Sequence, residues 1–267
     1  MRTTENNIIQ TESVDIAYEN NLIVEDLNIS IPKGKITALV GANGSGKSTI
    51  LKTIGRILKQ KKGIIYFEEF NLRKMHTKEI SKRLAILPQN PIPPKGLRVD
   101  ELVAYGRAPH QSGFNTLTSQ DRKKIYQALK KAGVLEFADR DLESLSGGQL
   151  QRVWIALSLA QETDILLLDE PTTFLDMSYQ MDILHLLQKL NKENEATIIM
   201  VVHDLNHASR FADYMIAIKN GKVVEKGMPA DVIIPETLQK VFDIRADVIM
   251  DRRYGYPLCI PYETTRR

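Results

Sequence analysis

The β-branched and aliphatic run Ile36 to Val40 leads without a break into Gly41-Ala42-Asn43-Gly44-Ser45-Gly46-Lys47-Ser48-Thr49 and then into a helix-like segment, Ile50 to Leu58. The middle stretch fills the pattern G-x-x-x-x-G-K-[ST] in the strand-to-helix setting that gives the pattern its meaning. A strand must end where glycines let successive N–H groups face one point, and a helix must start behind them with its positive dipole end. The spacing therefore predicts a cradle for the phosphates of a nucleoside triphosphate. Lys47 reaches the outer phosphates and the Ser48 hydroxyl serves Mg²⁺. A Gly-rich connector without a ligand is the plainer alternative.

Short apolar runs recur at Leu84 to Leu87, Ile165 to Leu168, Thr197 to Val202 and Tyr214 to Ile218, separated by stretches of helical period. That alternation predicts an α/β fold with a buried, largely parallel sheet and helices on both faces. Ser13 to Tyr18 and Asn28 to Ile31, with Pro32-Lys33-Gly34-Lys35 as a turn, read as half-buried antiparallel strands, so an N-terminal β layer precedes the main sheet. Between Gln89 and about Ala160 the strand-like runs stop. A Pro-rich loop appears, followed by helical patterns at Val99 to Tyr105, Ser119 to Ala132 and Gly148 to Ala160. The expectation is a single domain over residues 1–267, with a core of 1–89 and 161–267 and a helical subdomain of about 90–160 inserted in it. No internal repeat suggests a second nucleotide domain.

Of the 267 residues 43% are hydrophobic, enough for a sizeable core. The 36 basic and 33 acidic residues are mixed along the chain, so the net charge of +3 does not imply a nucleic-acid groove. One cysteine, Cys259, excludes an internal disulfide framework and a Cys-based zinc cluster. Met1 to Gln10 lacks the apolar core of a signal peptide, and no apolar run is long enough for a bilayer. Any service to a membrane process has to come from docking on a partner that spans the lipid.

Ile165-Leu166-Leu167-Leu168-Asp169-Glu170 is a buried strand ending in two carboxylates, which in a parallel sheet arrive at the carboxyl edge where ligands bind. Asp169 is the candidate Mg²⁺ holder. Glu170 is the candidate that takes a proton from, or orients, the water attacking the γ-phosphate. Some twenty residues upstream, Leu145-Ser146-Gly147-Gly148-Gln149 stands at a helix start, where Ser146 and the glycine N–H groups form a second anion site. Alone, a Ser N-cap followed by glycines is common. Placed between Lys47 and Asp169, it makes the chain resemble the ATP-binding cassette (ABC) superfamily over essentially its whole length.

That resemblance implies an ABC nucleotide-binding domain with a RecA-like core, binding ATP and Mg²⁺. It implies that Tyr18 stacks on adenine. Gln89 reaches Mg²⁺ and the attacking water, Asp176 contacts the opposite subunit, and His203 senses the γ-phosphate. It further implies a head-to-tail homodimer in which each ATP lies between the Lys47 loop of one copy and the Ser146 to Gln149 element of the other. The segments Gly96 to His110, Val153 to Ala156, His203 to Asn206 and Lys240 to Ile244 resemble ATPases of ferric-siderophore, haem and cobalamin importers, with hydroxamate (ferrichrome-type) importers nearest. Expected partners are a transmembrane permease, gripped by a groove near Gln89 to His110 in which Arg107 takes part, and, indirectly, an extracytoplasmic siderophore-binding lipoprotein. No nucleic acid is expected. The expected location is peripheral, on the cytoplasmic face of a bacterial membrane. A haem, cobalamin or other chelate cargo, or a cytosolic ABC ATPase without transport, is the alternative.

Overall fold

The chain's own apolar pattern begins earlier than the sequence suggests. In the computed structural model, which describes residues 6–111 and 116–265, strand β1 (Asn7–Tyr18) buries Ile8, Ile9, Val14 and Ile16 completely. Its first half pairs antiparallel with β3 (Ser30–Pro32) and its second half with β2 (Asn21–Leu27). Pairing of two halves with different partners, through register shifts, hides the strand from a period-two reading. After the turn at 33–35, β4 (Ile36–Val40) is buried at every position. Helix α1 (Lys47–Ile54) starts three residues before the expected segment and stops before Leu58, because Gly55 caps it and Arg56 then turns left-handed at φ 58°. β5 (Lys62–Phe67) returns to pair with β1, and β6 (Phe70–Asn71) pairs with β5.

Contacts divide the chain into two units, residues 1–75 with 190–267, and residues 76–189. The second unit opens with α2 (Thr77–Ser81) and β7 (Leu84–Leu87). It continues through α3 (Val99–Ala104), a 3-10 segment (Tyr105–His110), α4 (Ser119–Ala132) and α5 (Gly147–Ala160). Helix α4 shows why these helices form: Thr118 caps it, accepting the Asp121 N–H, and Gly133 ends it at φ 70°. Its buried Ile125, Ala128, Leu129 and Ala132 fall on one face, toward Val99, Leu102 and Val103 of α3 and Val153, Ala156 and Ala160 of α5. β8 (Ile165–Asp169) pairs parallel with β7, Leu87 opposite Leu168.

Helix α6 (Met177–Asn194) leads back to the first unit. There β9 (Thr197–Val201) and β10 (Tyr214–Lys219) flank β4, both parallel to it, with α7 (Leu205–Phe211) between them in sequence. β11 (Lys222–Gly227) adds antiparallel to β10. Two short helices, α8 (Pro229–Val232) and α9 (Pro235–Phe242), precede a C-terminal hairpin, β12 (Ile244–Met250) and β13 (Pro257–Thr264). Asn206 of α7 holds that hairpin as a neighbouring strand would. Its amide donates to the Cys259 carbonyl at 3.2 Å and its oxygen accepts the Cys259 N–H at 2.8 Å. Cys259 is buried between them, which raises its thiol pKa. No helix among the described residues is long and apolar enough to cross a membrane.

Candidate nucleotide site

In the first unit the loop after β4 is shaped by what lies behind it. Gly41 has φ 154°, and a side chain there would put its Cβ 2.1 Å from the Ile218 carbonyl oxygen of β10. The Ser45 N–H donates to the Ala42 carbonyl at 3.2 Å, and the Gly221 N–H donates to the Ser45 carbonyl at 2.9 Å, so the β10–β11 turn pins the loop. Gly46 occupies the cap of α1, and Lys47, Ser48 and Thr49 form its first turn. Asn43 and Gly44 stand exposed at the crown of the loop.

Lys47 is buried, and its ammonium folds back to donate to the carbonyls of Gly41 and Ala42 at 2.9 Å each. A cation held over a ring of backbone at a helix start suits an oxyanion. The Ser45 hydroxyl is buried with no hydrogen-bond partner among the described residues, a polar group that an anion's oxygen would satisfy. These observations fit a phosphate group. Tyr18 ends β1 with nearly half its surface exposed, leaving a ring face available for stacking. His203 is exposed between β9 and Asp204, whose carboxylate caps α7 by accepting the N–H groups of Asn206 and His207.

In the second unit the parallel pairing of β7 with β8 brings the residues after Leu87 beside those after Leu168. The result is a contact between two of the expected functional side chains. The Gln89 amide donates to Glu170 Oε2 at 2.5 Å. The Thr173 hydroxyl donates to the same oxygen at 3.0 Å. Glu170 is buried and has φ 54°, a left-handed backbone that a non-glycine residue adopts at a cost of about 1 kcal/mol or more. Asp169, the last residue of β8, is buried as well. Among the described residues no group of three or more His, Cys, Asp and Glu could hold a metal ion.

Ser146 to Gln149 form a reciprocal cap at the start of α5. The Ser146 N–H donates to Gln149 Oε1 at 2.9 Å, and the Gln149 N–H donates to Ser146 Oγ at 3.3 Å. Ser146 and Gly147 are exposed, whereas Gly148 is buried, and a Cβ there would fall 2.4 Å from the Tyr179 ring of α6. Asp176 starts α6 by accepting the Tyr179 N–H and the Ser178 hydroxyl, which together lower its pKa.

Arg107 corrects one expectation. It does not face a partner: it is 4% exposed. Its Nε donates to Asp121 at 2.9 Å, and Nη1 donates to the Ala160 carbonyl at 2.6 Å and to Glu162 at 2.8 Å. Glu162 also pairs with Lys124. The guanidinium thus ties the 3-10 segment to the start of α4 and the end of α5. The exposed apolar groups of the Gln89 to His110 stretch are instead Ile92 and Tyr105. Thr173 was not singled out by its sequence position; a hydroxyl three residues after a strand-end carboxylate is the only signal it offers.

Comparison with known proteins gives the chain's family. Residues 24–173 match the family model described as ABC transporter. The iron(3+)-hydroxamate import ATP-binding protein of Bacillus subtilis is 55% identical over 257 residues, 96% of each chain. A subunit of a transporter described as metal-chelate type, in an inward-facing conformation, superposes with a TM-score of 0.84 at 27% identity, over 96% of this chain and 98% of that one. A dimeric ATP-binding cassette holding ADP and phosphate after hydrolysis superposes at 0.72 with 31% identity, over 82% and 98%.

Proposed function

The chain belongs to the ABC transporter family, and on that premise we propose that it is the ATP-hydrolysing subunit of an importer that takes up an iron(III)–hydroxamate siderophore through a membrane permease. The observation that carries the cargo assignment is the end-to-end identity of 55% with an iron(3+)-hydroxamate import ATP-binding protein. The phosphate loop with its buried Lys47 supports the ATPase assignment.

In this reading Gly41 to Thr49 cradle the ATP phosphates and Tyr18 stacks on adenine. Ser48, Gln89 and Asp169 are the residues that would hold Mg²⁺, which would neutralise phosphate charge when bound. Glu170 takes the proton of the attacking water, Gln89 steadies Glu170, and His203 reports the γ-phosphate. A second copy supplies Ser146 to Gln149 and Asp176 across a head-to-tail dimer. ATP favours the closed dimer only by as much as it binds that state better. The permease docks near Gln89 to His110, where Ile92 and Tyr105 offer apolar surface. The chain then sits peripherally on the cytoplasmic face, and an extracytoplasmic binding lipoprotein delivers the chelate. Residues about 90–160 form a helical subdomain of one ABC domain; their shared core of α3, α4 and α5 supports this.

The test is uptake of radiolabelled ferric hydroxamate by source cells carrying only Lys47→Ala. Uptake is expected to vanish and to return with the unmodified gene. Unchanged uptake would reject the hydroxamate assignment and turn attention to haem, cobalamin or another chelate.

A further inference from the structure

We infer that Thr173 is a positioning residue for hydrolysis, its hydroxyl orienting the Glu170 carboxylate. The inference rests on the reading of Glu170 as the group that takes the proton of the attacking water.

Two bonds join Thr173 to Glu170, and they do separable jobs. The Thr173 N–H donates to the Glu170 carbonyl at 3.3 Å and closes the turn that follows β8. The hydroxyl donates to Glu170 Oε2 at 3.0 Å. The turn lies between two residues in left-handed conformation, Glu170 at φ 54° and Phe174 at φ 64°. Backbone strain of this kind persists only where surroundings over-determine it. The bond from the Gln89 amide reaches the same oxygen from the loop after β7. Two donors from separate loops on one oxygen fix the plane of the carboxylate, which a side chain with three rotatable bonds cannot do alone. Turn closure needs only the Thr173 backbone, so replacing the side chain by an isosteric one removes the hydroxyl bond and leaves the turn.

A hydrogen bond to a charged group of this kind is worth about tenfold in rate when it acts in the transition state. The experiment compares ATPase kinetics of the full chain with Thr173→Val, Thr173→Ala and Thr173→Ser, alongside Glu170→Gln. Thr173→Val and Thr173→Ala are expected to lower kcat about tenfold with KM for ATP within twofold, and Thr173→Ser to restore kcat. In a Glu170→Gln background, Thr173→Val should change the residual rate little, because the two residues act as a unit. Normal kcat in either Thr173→Val or Thr173→Ala overturns the inference, and so does a Thr173→Ser protein as slow as Thr173→Val. Normal turnover by Glu170→Gln rejects the assignment of Glu170 itself. Loss in Glu170→Gln with none in Thr173→Val rejects only the role of Thr173.

Discussion

Asp121 lies beneath Arg107 with its carboxyl pKa held down to about 2, first by the Thr118 hydroxyl and then by the guanidinium. A folded-state pKa below the unfolded value means that the stabilisation is fully present above the ordinary carboxylate pKa. It is lost as pH falls from about 4 toward 2. Acid unfolding followed by circular dichroism should show this loss in the natural chain and a flatter profile in Asp121→Asn. Arg107→Ala should lower stability by about 1–3 kcal/mol, since it takes the guanidinium from a buried carboxylate that keeps only its hydrogen bonds from Thr118, and should not act by disturbing a docking surface. At this scale the placement of Lys47 at a helix start and of Asp169 and Glu170 at a strand end was legible, because short spacing specifies it. Arg107 was not. Whether an arginine points to solvent or into a buried cluster depends on Asp121 and Glu162, which lie 14 and 55 residues away.

The start of α5 serves two purposes that substitution can separate. Ser146→Ala removes the cap and should lower stability by about 1 kcal/mol. Ser146→Asp keeps a good cap but adds a negative charge where the proposed function puts a phosphate. Melting should therefore stay near that of the natural chain while ATPase activity falls at least tenfold; full activity in Ser146→Asp would count against a phosphate contact. Gly148 answers to a different neighbour. Gly148→Ala pushes a Cβ into the root of the Tyr179 ring and should cost about 1–3 kcal/mol in a melting experiment, with Tyr179→Ala relieving part of it. The sequence showed α4 with its limits correct and α5 within one residue, because caps and apolar period are local. It did not show β2, β5 or the hairpin of β12 and β13 as strands, whose pairing partners decide their state.

For the whole molecule the proposed cycle predicts an ATP-dependent change of mass. Glu170→Gln should bind ATP, fail to hydrolyse it and elute as a dimer in size-exclusion chromatography with light scattering, returning to monomer when ATP is withdrawn. A monomer at saturating ATP would argue against closure around the nucleotide. By itself the sequence determined the α/β class, the strand–loop–helix phosphate cradle and the order of the motifs. Each depends on residues close together in the chain: apolar runs for buried strands, glycines for turns, hydroxyls and carboxylates at strand and helix ends. Only the tertiary structure decided that β1 divides its two halves between β3 and β2, that Arg107 turns inward and Tyr179 requires Gly148. It also decided that Gln89 and Thr173 meet on one oxygen of Glu170. Apart from the local turn that brings Thr173 to Glu170, those outcomes depend on which surfaces meet after long stretches of chain have folded back, and no local spacing encodes that.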